Sequence, residues 1–279
     1  MNIHGLQSNF CSAHSPLLPV QLPSRMESHL WYVLPEEVKS ESLLNRYSEL
    51  LSPSEKDNVL GIRGEELKKR ALLARALVRT TISRYTNHRV DPRSLKFKKN
   101  NHGKPEVEWQ IADDWQPPPL HFNISHTSSL IACGVTVDSP IGIDVEDKQR
   151  KLKNHILAFA RRRHVKALGK GFSSAPFKTF TIRVRDAARG PSSFWGQDSE
   201  ISEISVESLG PVNLTTSWQF SLLELAGSHY AAICMEKHKA VGEKGNAPMK
   251  LTVRRTIPFV EDECVTGTDA VLPIGGLNC

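Results

Sequence analysis

Three strand-like segments follow one another between residues 122 and 146, and they restrict the fold of this chain more than any other feature. Residues 122–137 read as one strand, a Thr-Ser-Ser turn and a second strand, and residues 141–145 read as a third strand after Asp138-Ser139-Pro140. Branched and aromatic side chains dominate each strand, and polar turn residues separate them. The sequence therefore predicts a β-hairpin followed closely by a third strand.

The third of these strands carries two carboxylates. Its branched residues alternate with Gly142, Asp144 and Glu146, so both acids lie on one face, about 7 Å apart at a rise of about 3.3 Å per residue. Two carboxylates at this spacing can hold one magnesium ion shared with phosphate oxygens. The alternative is an edge strand whose polar side faces water. Ser125 and His126, which end a neighbouring strand, are phosphate-contacting side chains and favour the site.

A long amphipathic helix is predicted over residues 65–85. Small and apolar residues recur there at steps of three and four, which indicates one buried stripe. The stripe consists of Leu67, Ala71, Ala74, Val78, Ile82 and Tyr85. Arg75 and Arg79 share a different face. They are either surface arginines or arginines directed at a phosphate-bearing ligand, and the helix alone does not decide.

The other predicted elements complete an α+β pattern. A strand is expected over residues 29–34, and a helix beginning near Pro53, with Ser52 and Glu55 as a capping box. Residues 98–107 form a polar turn. Residues 218–222 alternate before an Ala-Gly-Ser turn and a further strand, which repeats the earlier hairpin. The two similar hairpins predict a pseudo-duplicated α+β fold.

The charge of the chain is concentrated in one block. The formal net charge is +6, but residues 148–185 contain twelve Lys or Arg and no acid. Such a block favours an anionic partner, whether phosphate, nucleic acid or an acidic protein, and its alternative is a solvated surface. No nucleic-acid-binding motif accompanies the charge, so we expect no nucleic-acid partner.

Five motifs in order resemble the Sfp-type 4′-phosphopantetheinyl transferases. They are the helix with Arg75, Gly103-Lys104-Pro105, the Phe-Asn-Ile-Ser-His run ending at His126, the Ile-Gly-Ile-Asp-Val-Glu run ending at Glu146, and the Lys-Ala-Leu-Gly-Lys-Gly run beginning at Lys166. The resemblance covers residues 30–235 and is nearest to the eukaryotic aminoadipate-semialdehyde dehydrogenase phosphopantetheinyl transferases, which serve lysine biosynthesis.

The resemblance implies a pseudo-twofold, two-lobed α+β fold with coenzyme A between the lobes. It implies magnesium held by Asp144 and Glu146, and a phosphopantetheine group passed from coenzyme A to a serine of an acyl or peptidyl carrier protein or carrier domain. These two acids and Lys166 are the implied catalytic residues. The implied coenzyme A contacts are Arg75, Lys104, Ser125, His126 and Lys166.

The chain departs from the family pattern just before Lys166. The family carries a helical stretch ending in Trp-x-x-Lys-Glu-Ala, whose Glu is a metal ligand or general base, and Arg162 occupies that position here. We interpret this as an internal deletion, through alternative splicing for example, that joins Ala160 to Val165 and shortens the second lobe. A permanently charged arginine is no base and repels magnesium. We therefore expect weak or absent transfer, and a catalytically inactive protein that binds coenzyme A or a carrier is the alternative function.

Four regions are expected along the chain. They are a flexible N-terminal segment over residues 1–26, an N-terminal α+β lobe over 27–140, a shortened C-terminal α+β lobe over 141–236 and a loose tail over 237–279. No run reaches the eighteen or so apolar residues of a membrane helix, so no membrane partner is expected. The five widely spaced cysteines favour a reducing compartment. We expect a monomer in the cytosol, with a mitochondrion or plastid as the alternative.

Overall fold

The computed structural model describes residues 17–101, 103–110, 114–149, 180–186, 202–208, 218–236 and 250–268. Its helices are α1 (Glu41–Leu50), α2 (Pro53–Leu60) and α3 (Glu65–Arg84), with short 3₁₀ turns at Pro35–Glu37 and Pro92–Ser94. Its strands are β1 (Glu27–Val33), β2 (Lys96–Lys99), β3 (Pro105–Glu108), β4 (Leu120–His126), β5 (Ile131–Val137), β6 (Ile141–Asp147), β7 (Phe180–Asp186), β8 (Ser202–Ser208), β9 (Trp218–Leu225), β10 (His229–Glu236), β11 (Lys250–Ile257) and β12 (Glu261–Thr268). The described residues therefore form a mixed α+β structure.

A five-stranded sheet is the largest unit, with the strand order β12-β11-β1-β5-β4. β1 lies near its centre, antiparallel to β5 and parallel to β11. β4 and β5 form the hairpin predicted from residues 122–137. Because β1 is covered on both faces, its side chains from Ser28 to Val33 are all buried, as expected of a central strand. The predicted opening strand and hairpin are confirmed.

The third predicted strand, β6, belongs to a separate sheet with the order β6-β10-β9. β9 and β10 are antiparallel and joined by the predicted Ala-Gly-Ser turn, in which Ala226 and Gly227 both have positive φ angles. β2 and β3 pair as a small hairpin around the predicted polar turn, where Gly103 has a φ of 82°. The second predicted hairpin is therefore confirmed, whereas the pseudo-twofold relation and the shortening of a second lobe remain predictions.

Helix α2 begins at its predicted start signal. The Ser52 hydroxyl accepts from the backbone N–H of Glu55, and the Glu55 carboxylate accepts from the backbone N–H of Ser52, which completes the capping box of α2. No described helix is long and apolar enough to cross a membrane.

The predicted buried stripe of α3 is partly wrong. Leu67 at its start is 48% exposed, and Ala71 and Ala74 are only half-buried. The second half of the helix is instead buried on almost every side, through the run Leu73, Ala76, Leu77, Val78, Arg79, Thr80, Thr81, Ile82, Ser83 and Arg84. The helix enters the molecule at an exposed end and finishes inside it, so a single stripe describes only part of its length.

β6 packs against the five-stranded sheet because Gly134 on β5 has no side chain. A Cβ atom at this position would lie 2.6 Å from Cγ2 of Ile143 and 2.8 Å from Cδ1 of Ile141. Both isoleucines are fully buried in an apolar cluster that joins the two sheets. Gly134 therefore sets the close approach of β6 to β5.

The expectation of a loose tail over residues 237–279 is wrong for residues 250–268, which form β11 and β12. β11 pairs with β1 from Glu27 to Tyr32, and the Thr252 hydroxyl donates to the Glu27 carboxylate at 3.0 Å. The hydroxyl of Tyr47 on α1 donates to the carbonyl of Pro258 at 2.7 Å. The C-terminal hairpin is thus an integral part of the main sheet, because β1 needs a partner on each edge.

Candidate functional site

A cavity of about 660 Å³ opens between α2, α3, the β2–β3 hairpin and β4. Arg75 from α3 and His126 from the end of β4 both line it. The hairpin adds Lys96, Lys98 and Lys99 to the wall. This concentration of cationic and imidazole side chains around a hollow of ligand size is suited to a phosphate-bearing ligand.

β4 directs alternate side chains to two places. Phe122, Ile124 and His126 line the cavity, whereas the side chains between them turn towards β6. The Asn123 side-chain oxygen accepts the backbone N–H of Ile143 at 3.0 Å. The period of two along a strand therefore places the cavity wall and the connection to β6 on one element.

Arg75 and Arg79 have different roles, although the sequence places them one helical turn apart. The Arg75 guanidinium donates to the carbonyl of Ala71 at 2.9 Å and stays at the cavity. Arg79 is only 2% exposed and forms a 2.6 Å ion pair with Glu55. It also donates to the carbonyl of Leu95 at 2.9 Å. The description of Arg79 as a surface arginine is therefore wrong, since it fastens α3 to α2 and to the loop before β2.

The Glu55 carboxylate is held in its ionised form by these contacts. Burial acts to raise its pKa, but hydrogen bonds from the backbone of Ser52 and from Arg79, with the charge of Arg79, lower the pKa overall. Both charges of the pair lie in the cavity wall. The pair gives this wall a fixed shape because each side chain is held by more than one partner.

Lys104 connects the hairpin to β6. Its Nζ donates to the carbonyl of Ile141 at 3.0 Å. Burial lowers the pKa of Lys104 to about 8, against the opposing effects of Glu106 and Cys234. An anionic ligand beside Lys104 would raise this pKa, because its negative charge favours the protonated ammonium.

Ser125 lies at the centre of the contacts between β4 and β6. Its hydroxyl donates to Oδ1 of Asp144 at 2.8 Å and accepts the backbone N–H of Val145 at 3.2 Å. Ser125 and Asp144 are 6% and 8% exposed. The carboxylate of Asp144 is therefore oriented by a neighbouring strand, next to the strand end that carries His126.

Asp144 and Glu146 lie on the same face of β6, as predicted, because Ile141, Ile143 and Val145 occupy the buried apolar cluster on the other face. No group of three or more His, Cys, Asp or Glu side chains suited to a metal occurs within the residues that the structure describes. Two carboxylates nevertheless match magnesium, which commonly takes one or two protein carboxylates and completes its shell with phosphate and water. The donor set therefore fits a magnesium ion shared with a phosphate ligand.

The predicted site residues fall into two groups. Arg75 and His126 share the cavity. The second group lies on and beside β6 and consists of Lys104, Ser125, Asp144 and Glu146. Lys104 and Ser125 reach β6 through the contacts given above, and both carboxylates are on β6 itself. This second group is not among the described residues that line the cavity. Lys166, Arg162 and the join proposed near Ala160 lie outside the described residues.

Sequence reasoning missed the cavity residues of β2 and the role of Asn123. Lys96 and Lys98 alternate along β2, and this pattern was available as a signal for a basic strand face. Asn123 stands two residues before Ser125 and bonds to β6 in the same way. Glu55 was identified as a capping residue, but nothing local in the sequence indicated its buried partner Arg79.

Part of the chain is similar in sequence to known proteins. The family described as 4′-phosphopantetheinyl transferase, N-terminal, matches residues 39–136. The chain is similar to the 4′-phosphopantetheinyl transferase Sfp of Bacillus subtilis, with 32% identity over 117 residues, covering 42% of this chain and 46% of the relative. It is also similar to the 4′-phosphopantetheinyl transferase HetI of Nostoc, with 30% identity over 120 residues, covering 43% and 47%.

A third relative, a 4′-phosphopantetheinyl transferase of Bacillus subtilis, is 27% identical over 144 residues, covering 42% of this chain and 59% of the relative. The chain thus spans about half the length of the curated relatives it matches. The matched segment contains the helix with Arg75, the Gly103-Lys104-Pro105 turn and the β4–β5 hairpin except for its last residue, Val137. Over this segment the chain is similar to the 4′-phosphopantetheinyl transferases of the Sfp type.

Proposed function

We propose that this chain binds coenzyme A and transfers its 4′-phosphopantetheine group to a serine of an acyl or peptidyl carrier protein or carrier domain, with cleavage of the pyrophosphate bond and release of adenosine 3′,5′-bisphosphate. One observation carries the proposal: the family-matched segment supplies both Arg75 and His126 to one cavity of about 660 Å³. Ser125, the residue before His126, bonds to the magnesium-type carboxylate of Asp144.

The basic groups bind and orient the phosphates in this proposal. Arg75 and His126 contact coenzyme A from the cavity wall, while Lys104 approaches the phosphates from the hairpin turn beside β6. Lys166 is assigned to the same task by the resemblance alone. Phosphoryl transfer depends mainly on such positioning and on neutralising the charge of the phosphate oxygens.

Asp144 and Glu146 would hold magnesium on the pyrophosphate. The ion, when bound, supplies charge neutralisation at the phosphate oxygens during the attack of the carrier serine. Ser125 keeps the Asp144 carboxylate in one orientation. Burial of Asp144 at 8% exposure limits competition from bulk water for this carboxylate.

The carrier partner is assigned by charge. Carrier domains are commonly acidic, and the twelve Lys or Arg residues between 148 and 185 suit an acidic surface. Arg162 in place of the family glutamate leaves the proton of the attacking serine without a strong base at that position. Loss of a general base costs a factor of about 10²–10⁴ in rate, so we expect slow transfer.

Transfer of labelled phosphopantetheine from coenzyme A to purified carrier proteins, with magnesium, tests the proposal. An acyl carrier protein and a peptidyl carrier domain are compared, and coenzyme A binding is followed by calorimetry. The Asp144→Asn, Glu146→Gln double variant is the matched control because it keeps the shape of both side chains and removes their charge. Slow transfer that the double variant abolishes is the expected result. Coenzyme A binding without any transfer would identify a binding protein, and no binding would refute the proposal.

A further inference from the structure

The hydroxyl of Ser125 uses its one hydrogen within the protein. It donates its hydrogen to Asp144 at 2.8 Å and accepts the backbone N–H of Val145 at 3.2 Å. A serine hydroxyl has a single hydrogen to donate. It therefore cannot donate to a phosphate oxygen while it donates to Asp144. An ionised phosphate oxygen carries no hydrogen, so it cannot donate to the Ser125 hydroxyl either.

The Asp144 carboxylate needs such a partner to keep one orientation. The terminal torsion of an aspartate side chain is broad, so the carboxylate rotates easily unless a hydrogen bond holds it. Magnesium demands nearly ideal octahedral geometry. The Ser125 contact is buried on both sides, at 6% and 8% exposure, where a hydrogen bond to a charged group is strong.

From this geometry we infer that Ser125 is a positioning residue for the metal ligand Asp144 and is not a hydrogen-bond donor to the phosphates of coenzyme A. The inference rests on the proposed function, and it replaces the phosphate contact that the family resemblance implies for Ser125. Partners of this kind typically change metal affinity about 10- to 100-fold when they are removed.

Asn123 offers a matched control on the same strand. Its side-chain oxygen accepts the N–H of Ile143, as the Ser125 hydroxyl accepts the N–H of Val145, at 3.0 and 3.2 Å. Both side chains are buried and both connect β4 to β6. In the bonds given above, only Ser125 also contacts a carboxylate. A comparison of the two alanine variants therefore separates the effect of joining β4 to β6 from the effect of orienting Asp144.

Calorimetric titration of the full chain with Mn²⁺ in the presence of coenzyme A, and with coenzyme A in the presence of a chelator, tests the inference. We expect Ser125→Ala to weaken Mn²⁺ binding about 10- to 100-fold and to leave metal-free coenzyme A binding unchanged. Asn123→Ala should retain the Mn²⁺ affinity of the wild type. Ser125→Cys keeps the side-chain size with a weaker donor, and it is the second variant in case Ser125→Ala fails to fold. We expect it to show the same loss of Mn²⁺ affinity.

Three results would overturn the inference. Wild-type Mn²⁺ affinity in both Ser125 variants would show that the hydroxyl does not orient the ligand, and an equal loss in Asn123→Ala would show that only strand attachment matters. Weaker metal-free coenzyme A binding in Ser125→Ala would restore the direct contact. A wild-type chain that binds neither coenzyme A nor Mn²⁺ would instead refute the proposed function, and the positioning role with it.

Discussion

Under the proposed function, coenzyme A binding should weaken as the solution becomes alkaline, because Lys104 loses its charge at an unusually low pH. Burial lowers the pKa of Lys104 to about 8. Below this pH the ammonium is charged and can pair with a phosphate, and above it the free protein must take up a proton before that pair forms. Affinity for coenzyme A should therefore be constant well below about pH 8 and fall as the pH rises through that value.

The magnitude follows from the pKa. About nine-tenths of Lys104 is charged at about pH 7, and about one-tenth at about pH 9, so affinity should fall about tenfold, or about 1.4 kcal/mol. Near pH 8, each coenzyme A that binds should take up about half a proton, since half of the free lysines are neutral there. Calorimetry in two buffers with different ionisation enthalpies measures both quantities.

Lys104→Arg is the matched control for this experiment. The arginine stays charged throughout the range, while every titrating group of coenzyme A is unchanged. Its affinity for coenzyme A should therefore vary little between about pH 7 and about pH 9. A wild-type affinity with the same pH dependence as Lys104→Arg would refute the reasoning, since the ligand's own titration would then account for all of it.

Three further predictions concern stability, each read from the midpoint and slope of urea unfolding. Gly134→Ala places a Cβ atom 2.6 Å from Ile143 and should cost about 1–3 kcal/mol; an unchanged midpoint would mean that β6 moves away freely. Arg79→Met leaves Glu55 partly buried without its cation and should cost about 3–5 kcal/mol, whereas Arg79→Met combined with Glu55→Gln should recover part of the loss. Tyr85→Phe removes the hydroxyl that bonds to two buried ring nitrogens at 2.7 and 2.9 Å and should cost about 1–3 kcal/mol; a loss far below this would mean that water replaces the hydroxyl.

Local patterns predicted the elements whose signals lie within a few residues. The capping box at Ser52 specifies the start of α2 because both partners are three positions apart. The period of two between residues 141 and 146 specifies which side of β6 carries the carboxylates, although both faces of the strand are buried from Ile141 to Val145. The pairing of β4 with β5 followed from the short turn between them.

Contacts between distant segments were beyond such patterns. Arg79 has a helical spacing from Arg75 that fits a surface position, and it is buried because the carbonyls of the following loop and Glu55 of the preceding helix surround it. The bond between Ser125 and Asp144 joins two strands that belong to different sheets. No spacing along the chain identifies which carboxylate a serine will meet across a sheet boundary.

The parallel pairing of β1 with β11 has a consequence for how the molecule forms during synthesis. The bond between Glu27 and Thr252 joins residues 225 positions apart, so one hydrogen-bonding edge of the largely buried strand β1 stays unpaired until β11 emerges from the ribosome. Contacts at such separations form slowly, and an unpaired strand edge is a site for pairing with other chains. A nascent chain stopped before residue 250 should therefore aggregate or recruit chaperones, and release of the C-terminal hairpin is the event that closes the sheet.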